Sequence, residues 1–287
     1  MVMERLRKEA NDQGMLLDDF VEASYTYRRL RHVLDRPWVG MFHHPVNINS
    51  PILNDRTTAV RNLLARDSRF KAACKKLRGA IVFSPDVADE IRAWLKVPVL
   101  LIKHPTELAV HQWTGGDDLW QVGFYLRNTR MLHTMPVAPG AMQRRFRSQP
   151  YLNWHLSRDK KLAAYYAKQN NHAEVLEIER MYDADYDDAL QSSIVCNQLY
   201  GAAANNVVLE CIARATPILV NRLPGVEYYL GKDYPLFYKD LEQAAFWSAD
   251  EHRVIEAHAY LRELKKNDLS LDYFISNVME FVNGQKC

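Results

Sequence analysis

A loop of small residues that leads into a helix is the stretch best suited to hold a phosphate-bearing ligand. Gly201–Ala204 has almost no side-chain bulk, and either Asn205 or Asn206 is a suitable N-cap for the helix that follows. A ligand could therefore reach the backbone amides and the positive end of the helix dipole, next to Ala204 and the two asparagines. Glu210 follows about one turn later, where a carboxylate can accept hydrogen bonds from two ribose hydroxyls. The alternative is an ordinary capped helix with Glu210 as a surface charge.

Two histidines follow a predicted strand, at an edge where α/β proteins bind ligands. Trp38–Phe42 predicts a short buried strand, and His43 and His44 come directly after it, before Pro45 ends the regular structure. Open α/β sheets bind ligands at the carboxyl ends of their strands. Either histidine could instead be satisfied by the loop backbone. Neighbouring predicted strands end at the same edge with Ser84, Lys103 and His104.

The elements around these residues predict an α/β protein with two parallel sheets and a helical C-terminal tail. A strand at Ala80–Phe83, a helix at Val87–Leu95 and a strand at Val97–Ile102 form one strand–helix–strand unit. Pro105–Leu119 is polar and irregular, which predicts a linker between a first domain, 1–112, and a second domain, 113–287. The second domain is predicted to contain strands at Gln121–Leu126, Tyr151–His155, Val175–Ile178, Ser193–Cys196, Thr216–Val220 and Tyr234–Tyr238, and helices at Lys160–Gln169, Asp183–Gln191, Leu241–Lys266 and Leu271–Val282.

Composition and charge are those of a soluble globular protein. Of the 287 residues, 48% are hydrophobic, and the net charge of +2 indicates no general attraction to nucleic acid or to an anionic membrane. The four cysteines form no Cys-x-x-Cys pair, which favours a reducing, cytoplasmic setting. No apolar run approaches the ~18 residues that cross a bilayer, and a peripheral membrane contact is left open. The basic run Gln143–Arg147 could meet an anionic acceptor or be an ordinary solvated surface.

The segment that begins with Asn205 resembles the donor-binding segment of the retaining GT-B glycosyltransferases. Its sequence is NNVVLECIARATPILVNRLPGVEYYLG. The pattern of that family has two glutamates eight positions apart, the second in a helix, followed by a strand and a glycine loop. Glu210 matches the second glutamate, which binds the nucleotide ribose in the family, and Thr216–Val220 matches the strand. Pro224–Glu227 matches the loop, so the resemblance implies that Gly225 and Glu227 lie beside the donor.

Ala202 stands where the family pattern has its first glutamate, eight residues before Glu210. In the family that carboxylate lies near the transferred sugar. The segment therefore predicts donor binding more directly than catalysis. A second hypothesis follows, in which the protein is a non-catalytic nucleotide-sugar-binding or partner subunit on the same fold.

The resemblance implies two Rossmann-like domains and the transfer of a sugar from a nucleotide-diphospho-sugar, with no cofactor and no metal ion. The family places a basic residue after the first strand of the second domain, near the donor diphosphate, and Arg127 and Arg130 are the candidates. An arginine there could stabilise the phosphate leaving group, or the two could be a solvated pair at a strand end. His43 or His44 would contact the reacting sugar. The first domain would bind the acceptor, whether a glycan, a lipid-linked molecule or another compound.

Two features allow other interpretations. Asp183 and Asp185 form an Asp-x-Asp, the metal-binding motif of GT-A glycosyltransferases, although an acidic helix start also explains them. The first domain is predicted to be reduced, or the chain to be part of a larger protein, because the chain opens with a helix at Met1–Leu34 and has a second, basic helix at Thr58–Leu77. Only about three strands are then predicted before the linker.

Overall fold

Two parallel sheets with helices packed against them make up the described part of the chain. The computed structural model describes residues 15–27, 36–48, 60–123, 125–136, 146–148, 175–178 and 183–285. The predicted strand at Tyr151–His155, the predicted helix at Lys160–Gln169 and most of the basic run at Gln143–Arg147 lie outside these residues. The α/β class predicted from the strand–helix–strand pattern is confirmed.

The first sheet consists of β1 Leu16–Asp18, β2 Trp38–Phe42, β3 Leu77–Val82 and β4 Val99–Leu101. Its strands are all parallel and lie in the order β1-β2-β3-β4. The prediction that Leu16 and Leu17 belong to a helix is wrong, because they pair with Trp38 and Val39. A partly buried edge strand of three residues is too short to show the alternation that distinguishes a strand from a helix. The sheet therefore has one strand more than expected.

The helices of the first sheet are α1 Val60–Arg66, α2 Ser68–Ala73 and α3 Pro85–Leu95. The single helix predicted at Thr58–Leu77 is divided at Asp67. The Asp67 carboxylate accepts hydrogen bonds from the backbone N–H groups of Arg69 and Phe70, at 2.9 and 3.1 Å. A side chain that caps in this way starts a new helix.

The second sheet consists of β5 Asp118–Gln121, β6 Phe146–Ser148, β7 Val175–Glu177, β8 Ser193–Asn197, β9 Ile218–Asn221 and β10 Phe237–Tyr238. These strands are parallel and lie in the order β10-β9-β8-β5-β6-β7. The winding direction reverses between β5 and β8, since the chain runs from β5 through β6 to β7 and then returns to the other side of β5. At such a switch point the loops after the two strands diverge and leave a crevice. The strand predicted at Gln121–Leu126 is displaced: β5 lies at Asp118–Gln121, and Gly123, just after it, has a positive φ of 78° that an extended strand does not adopt.

The remaining helices are α4 Met131–Thr134, α5 Asp183–Gln191, α6 Asn206–Arg214, α7 Pro224–Leu230, α8 Leu241–Ser248, α9 Glu251–Glu263 and α10 Leu271–Gly284. The helix predicted at Leu241–Lys266 is divided, because the Asp250 carboxylate caps α9 by accepting from the N–H of Arg253 at 3.0 Å. Within the described ranges, no helix has both the length and the apolar character needed to cross a membrane. Shorter turns of 3₁₀ type lie at Cys74–Lys76 and Asn267–Leu269, and a π-helical turn lies at Ala23–Tyr27.

The last helix returns to the first sheet. Phe274, Ile275 and Val278 of α10 are buried in one apolar cluster with side chains of β2 and β3. The boundary predicted between residues 112 and 113 stays a prediction, yet this contact places residues of the second range in the core of the first sheet. The partners of α10 in this cluster include Val39, Met41, Ile81 and Phe83.

The chain crosses between the two sheets twice, and the two crossings lie side by side. The backbone N–H of Thr106, on the way to the second sheet, donates to the carbonyl of Leu269 on the return, at 3.0 Å. Next to this bond, Lys103 forms an ion pair with Asp268 at 3.0 Å. The connection and the return are therefore bonded to each other.

Replacing Phe274 with alanine should destabilise the protein strongly. Phe274 is 1% exposed, and its ring stacks on that of Phe83 at 6.4 Å. Removal of a buried phenylalanine ring typically lowers the free energy of unfolding by about 3–5 kcal/mol, which urea denaturation can measure. Tyr273→Ala is the matched control, because Tyr273 is 44% exposed. Equal effects of the two substitutions would contradict the packing of α10 on the first sheet.

Candidate functional site

The loops that follow β5 and β8 are bonded to each other at the switch point. The backbone N–H of Tyr200 donates to the carbonyl of Leu126 at 2.7 Å. Arg127 and Leu199 form a bridge between the same two loops. Because β5 and β8 flank the point where the winding reverses, these bonds place Arg127 beside the loop that leads into α6.

Helix α6 starts where the sequence predicts, and its cap is Asn205. This residue is extended, and its side-chain oxygen accepts from the N–H of Val208 at 3.3 Å. Asn206 is the first helical residue. The first turn of any α-helix has backbone N–H groups without a partner inside the helix. The positive end of α6 therefore lies at the crevice of the second sheet.

A cavity of about 290 Å³ lies between the two sheets at this point. One wall comes from the first sheet and includes Phe20, His43 and His44. The other wall comes from the switch-point loops of the second sheet and the start of α6. We call this cavity the cleft. Its described lining residues are Phe20, His43, His44, Pro45, Tyr125, Leu126, Arg127 and Gly201–Asn206.

Small residues in the loop before α6 are required by packing. A Cβ atom on Gly201 would lie 2.9 Å from the carbonyl oxygen of Asn47 and 3.0 Å from Cγ of Pro45, both in the loop after β2. Ala203 belongs to the core cluster of the first sheet. Ala204, predicted to contact the ligand, lines the cleft. The same small side chains that leave the helix start accessible thus let the two domains meet.

Two other predicted donor-binding residues lie outside the described lining of the cleft. Gly225, in α7, packs closely against the loop before α6. A Cβ atom on Gly225 would lie only 2.2 Å from the carbonyl oxygen of Ala202. Glu227 forms an ion pair with Arg222 at 2.6 Å, and both side chains are solvent-exposed. Their contact with a donor stays a prediction.

Of the two candidate arginines, Arg127 lines the cleft and Arg130 is outside its described lining. The Arg127 guanidinium lies against Gly123, and its Nη1 donates to the carbonyl of Val122. Burial lowers the pKa of Arg127 to about 10, so the side chain is charged at neutral pH. Arg130 is the residue before α4, and its backbone N–H is bound by the side chain of Asn128 at 3.0 Å.

Glu210 lies one turn along α6 from the cleft, and its carboxylate accepts a hydrogen bond from the Tyr186 hydroxyl of α5. Burial raises the pKa of Glu210, while the hydrogen bond from Tyr186 and the positive charge of Arg214 act in the opposite direction. The negative charge of Glu210 in turn favours the charged form of Arg127. The two residues predicted to bind the nucleotide-sugar, Glu210 and Arg127, thus interact electrostatically.

A second cavity, of about 520 Å³, lies beside Glu210. It is bounded by α5, α6 and the polar connection between the sheets. Asp183 lines it, whereas Asp185 is outside its described lining. Across the described residues, no group of three or more His, Cys, Asp or Glu side chains is arranged to hold a metal ion. The described lining comprises Thr106, Glu107, Ala109, Val110, His111, Asp183, Tyr186, Asp187, Gln191, Glu210 and Arg214.

The two histidines differ in their surroundings. His43 donates from Nε2 to the carbonyl of Asp19 at 2.8 Å, and its ring lies between Phe20 and Phe83, at 4.7 and 4.6 Å. His44 is 7% exposed, and its Nδ1 has no partner among the described residues. Burial lowers the pKa of each histidine to about 4, so both are uncharged at neutral pH. His44 is therefore the cleft histidine whose ring has a buried nitrogen with no partner among the described residues.

Aromatic residues of the cleft were missed by the sequence interpretation. Tyr125 is 46% exposed, and its ring lies 5.7 Å from that of His44 on the opposite wall. Because Tyr125 lies two residues before the candidate Arg127, the sequence could have indicated that it is near the site. Phe20 gave no such indication, because its segment was predicted to continue a helix. Tyr186, which binds Glu210 and lines the second cavity, was also missed, because the sequence of its helix was interpreted only through its aspartates.

The two parallel sheets and the cleft between them have the fold of the GT-B glycosyltransferases. One similar solved structure is HepE of Anabaena in complex with UDP-glucose, with a TM-score of 0.63, 10% identity and coverage of 99% of this chain and 82% of that chain. Sucrose-phosphate synthase from Thermosynechococcus elongatus has a TM-score of 0.62 and 13% identity, over 99% of this chain and 76% of that one. TarM of S. aureus has a TM-score of 0.64 and 10% identity, over 97% and 57%. No protein-family model and no curated protein matches the sequence.

Gly225→Ala should destabilise the protein. The new methyl group would overlap the carbonyl oxygens of Ala202 and Ala203, so the loop before α6 must shift. Overpacking of this kind lowers the free energy of unfolding by about 1–3 kcal/mol, measurable by urea denaturation. Gly284→Ala is the control, since a Cβ atom there meets nothing within 4 Å. A Gly225→Ala variant as stable as the parent would contradict the close contact of α7 with the loop.

The uncharged state of His43 should affect how stability depends on pH. Its pKa is about 4 in the folded protein and near 6.5 in the unfolded chain, so the unfolded chain binds more protons between these values. Stability contributed by this residue is therefore lost as the pH falls from about 6.5 to 4. His43→Gln should reduce that loss, measured as the melting temperature at several pH values. The exposed His252→Gln is the control, and identical pH profiles for His43→Gln and the parent would contradict the prediction.

Proposed function

We propose that the protein is a glycosyltransferase that moves a sugar from a nucleotide-diphospho-sugar to an acceptor in the cleft. The observation that carries this proposal is the composition of the two cleft walls. A helix start and Arg127 stand on the second domain, opposite His44 on the first. Such an arrangement suits a diphosphate on one side and a reacting sugar between the domains.

The donor would lie along α6. Its diphosphate would accept hydrogen bonds from the backbone N–H groups around Asn205 and Asn206, next to Arg127. Its ribose would reach Glu210, which is four residues and so about 6 Å further along the helix axis. The ribose hydroxyls would then replace the Tyr186 hydroxyl at the carboxylate or share the carboxylate with it. HepE was solved with UDP-glucose, which makes UDP-sugars the first donors to test.

Charge stabilisation by the second domain would assist cleavage of the glycosidic bond. As the bond between the sugar and the β-phosphate breaks, its electron pair passes to the phosphate oxygen. The guanidinium of Arg127 and the positive end of α6 favour that negative charge. These groups can supply the electrostatic role that a divalent cation has in other transferases, so we propose a metal-independent reaction.

His44 would contact the transferred sugar or the acceptor. Its imidazole is uncharged at neutral pH, because burial lowers the pKa to about 4. It would therefore act through a hydrogen bond to a hydroxyl and not through a positive charge. Retention of the anomeric configuration is proposed from the resemblance of the α6 segment to the retaining group.

A non-catalytic subunit that binds a nucleotide-sugar is the second candidate. The observation that favours it is Ala202, which is 7% exposed and has no carboxylate to offer the transferred sugar. In that case the nucleotide would bind along α6 without turnover.

Removing the charge of Arg127 should slow the transfer. The parent protein is incubated with a panel of nucleotide-sugars and acceptors, and the released nucleotide is measured. Loss of one preorganised group that stabilises charge lowers kcat on the order of 10²-fold, so we expect the kcat of Arg127→Ala to fall by about this factor. Glu210→Gln should instead raise the KM for the donor, by about tenfold for one lost charge-assisted hydrogen bond. Arg92→Ala, on the exposed surface of α3, is the control and should match the parent.

The outcomes separate the two candidates. Turnover that survives both Arg127→Ala and Glu210→Gln unchanged contradicts the assigned site. A rise in melting temperature with nucleoside diphosphates, without turnover of any donor, supports the subunit. Neither binding nor turnover of any nucleotide-sugar contradicts both candidates.

A further inference from the structure

A buried carboxylate holds the two histidines of the cleft by their backbone. Glu22 is 1% exposed. Its Oε1 accepts hydrogen bonds from the backbone N–H of His43 at 3.0 Å and of His44 at 2.9 Å, and its Oε2 lies 3.2 Å from the N–H of His43. One side chain thus binds two consecutive amides just past the end of β2.

The segment that bears Glu22 is itself fixed at the end of β1. Asp18 accepts from the backbone N–H of Phe20 at 3.1 Å and from the hydroxyl of Ser24 at 3.0 Å. The neighbouring Asp19 carbonyl accepts from the ring of His43 at 2.8 Å. The loops after the adjacent parallel strands β1 and β2 are therefore joined through both backbone and side chains.

If stability were the only requirement, burial of the Glu22 carboxylate would be unfavourable. A carboxylate loses its hydration when it is buried, and two amide donors compensate for only part of that loss. Burial accordingly raises the pKa of Glu22 to about 7, against the opposing effect of the bonds from His44 and His43. Exceptions to apolar burial of this kind are typical of functional sites, where a fixed geometry matters more than stability.

We propose that Glu22 is a positioning residue, which fixes the backbone of His43 and His44 so that the His44 imidazole meets the substrate in the cleft. The inference rests on the proposed glycosyl transfer. Glu22 acts through His44 and does not touch the substrate itself. It concerns the first-domain wall, so it does not depend on how the second domain holds the donor.

A dependence on pH follows from the same contacts. Among the described residues, the titratable groups around the carboxylate are Asp18 from β1 and the two histidines that follow β2. Bonds from amides to a charged carboxylate are roughly twice as strong as those to a neutral group. As the pH falls below about 7 and Glu22 takes up a proton, these bonds weaken. The rate of transfer should then fall on the acid side of neutrality.

The test compares Glu22→Ala and Glu22→Gln with Glu90→Ala. Glu90 is a matched control, because it is 8% exposed and also accepts from a backbone N–H, that of Arg61 at 3.3 Å, away from the described lining of the cleft. We expect kcat to fall on the order of 10²-fold in Glu22→Ala, the loss that follows a small misplacement of a reacting group. Glu22→Gln, which keeps an acceptor, should recover part of this loss and flatten the acid limb of the pH profile. The stabilisation of each variant by UDP, measured as a thermal shift, should equal that of the parent.

Three results would overturn the proposal. The first is a folded Glu22→Ala variant with the kcat and the pH profile of the parent. The second is a loss of transfer that Glu90→Ala reproduces, and the third is a loss of transfer accompanied by an equal loss of the UDP shift, since each of these two indicates general destabilisation. The NMR spectrum of the histidine rings without ligand provides a test that needs no activity: the His44 resonances should move in Glu22→Ala and stay in Glu90→Ala. Absence of turnover in the parent contradicts the proposed transfer, and the His44 resonances still decide whether Glu22 positions the ring.

Discussion

Pairing of β5 with β8 is the interaction on which the site depends. It brings two loops from distant parts of the chain to one point, where the backbone bond between Tyr200 and Leu126 holds them together. One loop supplies Arg127 and the other the start of α6. A helix start alone binds anions weakly and without selectivity, since water competes for its amides. Here the start of α6 lies in a cleft whose other wall comes from a separate sheet. The cleft therefore selects a ligand both by its charge and by the groups that it presents to the opposite wall.

Electrostatics differ between the two walls. Arg127 keeps its charge although burial lowers its pKa to about 10, and the nearby carboxylate of Glu210 helps it to do so. On the opposite wall the histidines are neutral, and their anchor is a carboxylate with a pKa of about 7. The second-domain wall therefore suits a ligand group with a permanent negative charge, whereas the first-domain wall suits hydroxyl groups of a ligand.

Features determined by a short stretch of sequence could be predicted, whereas features determined by contacts between distant residues could not. α6 and its cap were located almost to the residue, because small residues, an asparagine and a regular apolar stripe lie within one short segment. The two-sheet class followed from strand–helix–strand spacing. β1 was not recognised, because three residues carry no period. Glu22 was missed for a different reason: its partners, the backbone amides of His43 and His44, are distant in sequence, and nothing in their residue types marks them as partners. Gly225 was assigned to the ligand, whereas its contact with the Ala202 carbonyl becomes evident only when α7 is packed against the loop.

The return of the last helix has a consequence for domain motion. Two domains joined by one flexible connection can swivel in any direction. Here the outgoing chain at Thr106 and the returning chain at Leu269 are bonded side by side. An opening of the cleft that kept this bond and the neighbouring ion pair between Lys103 and Asp268 would have to bend both connecting segments together. Such a bend would move the His44 wall away from the Arg127 wall, and it would also have to release Ala203 from the core cluster of the first sheet.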